Sequence, residues 1–151
     1  MIVFLFIFAD LLKIKRKVFD MKHSIVLEKS RNFASRIIKM YQYLQQEKRE
    51  FVMSKQILRS GTSVGANISE ALCAQSKKDF YAKMYIAYKE ASESLFWIDM
   101  LFENGYITGP QCESIRNDNL ELVKILSAIT KTQNIPNPNN TPKEQLLTTN
   151  C

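Results

Sequence analysis

Histidine, cysteine, glycine and proline are all scarce in this chain, and each scarcity removes a class of function. The one histidine, His23, has no cysteine or carboxylate arranged around it. A di-metal helical protein would carry Glu-x-x-His on two helices, and the sequence has no such motif. Cys73, Cys112 and Cys151 are far apart, odd in number and without a C-x-x-C. They read as reduced cytosolic thiols, with Cys73 and Cys112 acting as small hydrophobes rather than as a disulfide frame or zinc site. Four glycines and four prolines leave few places for tight turns, and with 46% hydrophobic residues they point to one helical globular domain. The apolar run Met1–Ala9 is far short of the ~20 residues that span a bilayer. Glu90 with Glu93, and Asp118 with Glu121, share helical turns, as carboxylates on exposed faces commonly do. Lys89–Glu93 and Asp99–Glu103 are likewise surface spacings, one attractive and one repulsive. No catalytic constellation, cofactor site or metal site is legible, so a non-enzymatic protein is expected.

What the sequence does contain is organised around Lys55–Asp79, KQILRSGTSVGANISEALCAQSKKD. Ile57, Gly61, Val64, Ile68 and Leu72 recur at helical steps and define one face. Gly65 lies beside that face, so Gly61 and Gly65 form a strip without side chains. Each glycine costs about 1 kcal/mol against alanine inside a helix, which close approach of another backbone would offset. GTSVG also spells G-x-S-x-G, but the nucleophile elbow needs a strand before it and triad partners after it. Helical periodicity runs through this stretch and His23 lies upstream. No Gly-Lys-Ser/Thr follows, so it is not a phosphate loop either.

Residues 1–20 differ from the rest. Lys13, Lys15, Arg16 and Lys17 follow the apolar run, the reverse of signal-peptide order. Two readings stand: a peripheral membrane anchor, or an upstream extension of a chain starting at Met21, which is preferred. A first helix is expected over Ser24–Gln46, burying Val26, Phe33, Ile37, Met40, Tyr41 and Leu44. Arg31 and Lys39 point away from that face, with Lys29 and Arg36 flanking it. Glu47–Glu50 is the expected turn, Phe51 starts the second helix, and that helix ends around Ala74–Gln75. Ser76–Asp79 resembles a capping box with Asp for the usual Glu. The third helix, Lys77–Glu103, carries Tyr81, Tyr85 and Tyr88 on one face. Such a stripe can stack single-stranded bases, but core or subunit interface is the commoner use. Asn104-Gly105 stops the helix, and Thr108-Gly-Pro110-Gln111 starts a fourth that runs to about Lys131 and buries Ile115, Leu122, Leu126 and Ile129. Residues 133–151, rich in asparagine and proline, read as a disordered tail. The expected fold is all-α: an antiparallel up-and-down four-helix bundle over residues 21–132.

Charge is divided unevenly. Residues 22–78 carry a net of +7 and residues 79–132 a net of −3, within a chain total of +6. The basic half could track phosphates. It could instead meet the acidic half of another copy, head to tail, in a ring. A solvated surface without a partner is the third possibility. Lys55 and Arg59, one turn apart and opposite the apolar stripe, form the candidate nucleic-acid-binding set with Arg31 and Lys39.

The run LRSGTSVGANISEA (Leu58–Ala71), with QSKKDF (Gln75–Phe80), AYKEASES (Ala87–Ser94) and ENGYI (Glu103–Ile107), resembles the bacterial four-helix bundle proteins. These are also called the 23S rRNA intervening-sequence protein family. The resemblance spans about Met21 to Lys131 and excludes both termini. It implies a cytoplasmic, non-enzymatic ring without a membrane span, a homopentamer by similarity to a related branch, the accessory variability determinant of diversity-generating retroelements. That branch binds nucleic acid and a reverse transcriptase, so RNA, DNA or such a protein becomes an expected partner. The family's recurring positions fall on Arg59, Gly61, Gly65, Asn67 and Glu70. Helical position puts the glycines at close packing, Asn67 at the edge of the core, and Arg59 and Glu70 outward, where a subunit contact is possible. The runner-up is a protein-binding scaffold that binds no nucleic acid.

Overall fold

A computed structural model describes residues 25–132, and within them the chain is four helices with no strand. The first, α1, covers residues 25–46; α2 is Met53–Leu72, α3 is Lys77–Glu103 and α4 is Gly109–Lys131. Residues 1–20, His23, Cys151 and the asparagine-rich tail lie outside the described residues.

Each helix buries the face that its apolar spacing defines. Val26, Phe33, Ile37 and Leu44 of α1 meet Ile57, Val64 and Ile68 of α2, Met84, Ile98 and Leu101 of α3, and Ile115, Leu122 and Leu126 of α4 in one core. Met40 and Ile129 pack against it from partly exposed positions, and Tyr41 is also partly exposed. Burying such side chains is worth about 1.5–3 kcal/mol each.

The helix ends show what local chemistry decides. Thr108 forms the expected capping box: its Oγ1 accepts from Gln111 N–H, while Gln111 Oε1 accepts from Thr108 N–H at 2.8 Å. Ser76 caps α3 by accepting from Asp79 N–H at 3.1 Å. The expected reciprocal arm differs, because Asp79 Oδ2 accepts from Gln75 N–H, one residue before the cap. Gly105, at φ 74°, ends α3 in the left-handed region; Gly105 N–H bonds to Phe102 O and Tyr106 N–H to Leu101 O. These are the paired bonds of a Schellman stop.

Both expected ends of α2 shift inward. The helix begins at Met53, not Phe51, because the buried Glu50 carboxylate accepts from the N–H groups of Val52, Met53 and Ser54. It ends at Leu72 rather than Ala74–Gln75. Cys73 and Ala74 make tight bonds to Glu70 O and Ala71 O, and the chain turns into the Ser76 cap. Leu72 is consequently 41% exposed and Ala71 takes the inner position.

Contacts between helices run in opposite sequence directions. Gly61 faces Ile37 and Gly65 faces Ser30, joining α2 to α1. Ser94 Oγ meets Ser60 Oγ at 3.0 Å, and Lys83 pairs with Glu70, joining α3 to α2. Asn119 Nδ2 donates to Ala91 O at 2.9 Å, and Arg116 Nε to Asp99 Oδ1 at 3.0 Å, joining α4 to α3. Lys29 pairs with Glu121 and Arg36 with Asp118, joining α1 to α4.

Candidate nucleic-acid interface

Arg31 and Lys39 lie two turns apart on α1, and both are exposed without an ion-pair partner. Lys55 is likewise exposed and unpaired on the first turns of α2. Arg59 is 65% exposed, but its Nη2 donates to Glu93 Oε1 on α3 at 3.1 Å. The candidate set therefore forms two pairs, one on each of two neighbouring helices. No hydrogen bond joins one pair to the other.

Gly61 and Gly65 do lie at the α1 contact, with different stringency. A Cβ at Gly61 would stand 2.8 Å from Ile37 Cγ1, closer than real atoms approach. One at Gly65 would stand 3.5 Å from Ser30 Oγ, an ordinary contact. Asn67 is half-buried and donates to Ser63 O within its own helix at 2.9 Å. Glu70 points outward and pairs with Lys83, whose pKa rises because it donates to that carboxylate and sits in its field. Arg59 and Glu70 thus each have a partner inside the chain, on α3.

The carboxylates of α3 reach other helices rather than only their own. Glu93 accepts from Arg59 and from Trp97 Nε1, and Asp99 accepts from Arg116. The tyrosine stripe divides. Tyr88 packs against the core, Tyr81 Oη lies 3.4 Å from Thr132 Oγ1, and Tyr85 is 54% exposed. Of the two thiols expected to be small hydrophobes, Cys112 is buried, and its pKa is raised by burial and then by Asp99. Cys73 is exposed, because α2 ends just before it.

Sequence reasoning assigned no role to the corner between α1 and α2. Glu50 is its keystone. Burial alone would push the Glu50 carboxyl up, but bonds from the Ser54, Val52 and Met53 N–H groups hold it below its ordinary value. Its carbonyl accepts from Ser54 Oγ, which in turn accepts from Gln45 Nε2. The available signal was the absence of Ser, Thr, Asn or Asp immediately before Met53, which leaves the first N–H groups of α2 needing an acceptor. Arg49 turns the corner at φ 53°. Among the described residues, no group of three His, Cys, Asp or Glu side chains could hold a metal ion. No described helix is long and apolar enough to cross a membrane.

Residues 22–128 match the family model described as 23S rRNA-intervening sequence protein. The chain is also similar to a protein of unknown function from the S23 ribosomal protein family of Bacteroides thetaiotaomicron VPI-5482, solved by crystallography at 1.70 Å. The two share 54% sequence identity and a TM-score of 0.72, over 73% of this chain and 98% of that one. No functionally curated protein matches the chain.

Proposed function

The chain belongs to the 23S rRNA-intervening sequence protein family, and from that premise we propose that it is a non-enzymatic, homo-oligomeric accessory protein that binds RNA or DNA through its basic surface. Its four helices form an antiparallel up-and-down bundle, a reading supported by contacts that close from α1 through α2, α3 and α4 back to α1. Copies assemble into a ring, a pentamer by analogy with the nucleic-acid-binding branch that the motif resembles. It works in the cytoplasm.

The observation that carries nucleic-acid binding is the unpaired, exposed state of Arg31, Lys39 and Lys55 in a half of the chain with surplus positive charge. Lysine and arginine in this state release counterions when they meet phosphates, so binding weakens steeply with salt. The test is fluorescence anisotropy of a labelled structured RNA with the full chain across a salt series, with duplex DNA as comparison. Roughly micromolar or tighter binding near physiological salt, falling steeply as salt rises, is the expected result. Joint charge reversal at Lys55 and Arg59 weakens it. No binding even at low salt refutes the reading.

A second reading, a scaffold whose partner is a protein such as a reverse transcriptase, draws on Tyr85 and Phe96. These are 54% and 53% exposed on α3. Retention of such a protein by a chain that binds no RNA would favour it.

A further inference from the structure

Of the four cations singled out by helical position, Lys55 alone belongs to the stretch of chain where exposed cations and exposed apolar groups are interleaved. That stretch is the α1–α2 corner. Lys48, Arg49 and Lys55 are exposed there and have no ion-pair partner among the described residues. Between them Phe51 is 48% exposed and Val52 71% exposed. The one carboxylate inside this run, Glu50, is turned inward and bound by three backbone N–H groups, so it does not offset the surface charge. Glu47, at the corner's edge, adds an exposed negative charge. Lys48 Nζ stands 5.8 Å above the Tyr43 ring, which directs that ammonium along the corner.

The corner is also held in shape. Glu50 N–H bonds to Leu44 O at 3.0 Å, Glu50 ties the start of α2, and Ser54 links Glu50 to Gln45. A half-exposed phenylalanine ring on a braced turn is therefore presented to solvent with three exposed cations within four residues of it in sequence. Little order has to be created on binding.

We propose that this corner binds an unpaired stretch of RNA, with one base stacked on Phe51 and the flanking phosphates held by Lys48, Arg49 and Lys55. The proposal rests on the nucleic-acid-binding reading above and relocates its centre. Charge complementarity selects a polyanion, and the ring selects one whose base faces are open. Duplexes hide those faces, whereas RNA exposes them in loops, bulges and single strands. A lipid surface fits less well, because two apolar side chains, one of them half covered, offer little area to insert.

The test uses the full chain and a labelled single-stranded RNA of mixed sequence, alongside the same sequence fully paired. Phe51→Ala is expected to weaken single-strand binding by roughly 5-fold or more while leaving the salt dependence unchanged. Lys48→Gln combined with Lys55→Gln is expected to flatten the slope of log affinity against log salt by about 1.4. Both variants alter exposed side chains, and circular dichroism melts confirm that they fold. Wild-type binding that neither variant changes overturns the corner and leaves nucleic-acid binding standing elsewhere. No wild-type binding overturns both. Equal or tighter binding of the paired RNA overturns the stacking assignment. Phe51-dependent binding to anionic phospholipid vesicles, with RNA binding unaffected, would assign the corner to a membrane and overturn the proposal.

Discussion

Replacing Gly61 and Gly65 by alanine, one at a time, should move stability in opposite directions although the two positions are one turn apart. Each replacement gains about 1 kcal/mol of helix propensity. At Gly61 the added methyl would stand 2.8 Å from Ile37 Cγ1 and 3.0 Å from Cγ2. Those atoms cannot swing aside, because Ile37 is fully buried and a β-branched residue in a helix has one strongly preferred χ1. α1 and α2 must separate instead, and overpacking of this kind costs about 1–3 kcal/mol. Gly61→Ala is therefore expected to lose a net of up to about 2 kcal/mol.

At Gly65 the nearest atoms are Ser30 Oγ, O and C at 3.5, 3.6 and 3.7 Å, so the methyl fits and Gly65→Ala gains about 0.5–1 kcal/mol. Urea unfolding followed by circular dichroism measures both, at one fixed protein concentration because association would enter the apparent stability. A cycle with Ile37→Ala isolates the cause. The double variant with Gly61→Ala should be less destabilised than the sum of the singles by more than about 0.5 kcal/mol. A Gly61→Ala protein as stable as the Gly65→Ala protein, or equal losses at both positions, would refute the packing account.

Glu50→Gln removes a charge from three backbone bonds and should cost about 1–2 kcal/mol at pH 7 in urea unfolding. The folded Glu50 carboxyl lies below its ordinary value of 4.5, so its contribution is present above that value and disappears as pH falls through the folded one. The Gln variant should lack that part of the acid sensitivity, and parallel pH profiles for the two proteins would contradict it. Arg49 adopts φ 53°, where a side chain is strained and glycine is not. Arg49→Gly should therefore raise the melting temperature by a few degrees, on the order of 1 kcal/mol. In a Cys151→Ser background, Cys73 should react with a thiol reagent at once, while Cys112 should react only on unfolding. Equal rates would show that Cys112 is not buried in the core.

Helix positions were legible because the apolar spacing is regular and three ends carry standard caps. Ser76, Gly105 and Thr108 use side chains or left-handed glycine in ways that sequence patterns record. The start of α2 was not legible in that way. Glu50 acts from two residues before its N-cap, and its burial depends on the fold. Leu72 kept the helical period but lost its cover, since periodicity says nothing of where α2 itself ends. The candidate cations were read correctly as exposed, yet the partner of Arg59 could not be foreseen, because Glu93 comes from another helix. The same limit hid the division of the tyrosine stripe.

Those long-range pairs change the electrostatic argument for a ring. The sequence suggested that an acidic α3–α4 half of one copy could meet the basic α1–α2 half of the next. In the structure Glu93, Asp118 and Glu121 pair with Arg59, Arg36 and Lys29 of the same chain, Asp99 pairs with Arg116, and Asp79 accepts one backbone bond, from Gln75 N–H. Among the described residues, the carboxylates left without an ion pair on α3 and α4 are Asp79, Glu90, Glu103 and Glu113, set against unpaired Lys77, Lys78, Lys89, Lys124 and Lys131. The available surface of that half is thus near neutral, whereas among the described residues Arg31, Lys39, Lys48, Arg49 and Lys55 remain unpaired on the other half against Glu28 and Glu47. A polyanion is a better partner for those cations than a second copy. The proposed ring would then have to be held by apolar contacts, for which Tyr85, Ile86, Phe96 and Phe102 of α3 are among the exposed side chains. Raising salt to about 1 M, where the screening length shrinks to ~3 Å, should release RNA while leaving the oligomer intact by light scattering. An oligomer that dissociates with salt in step with RNA release would restore the charge-paired ring and count against this account.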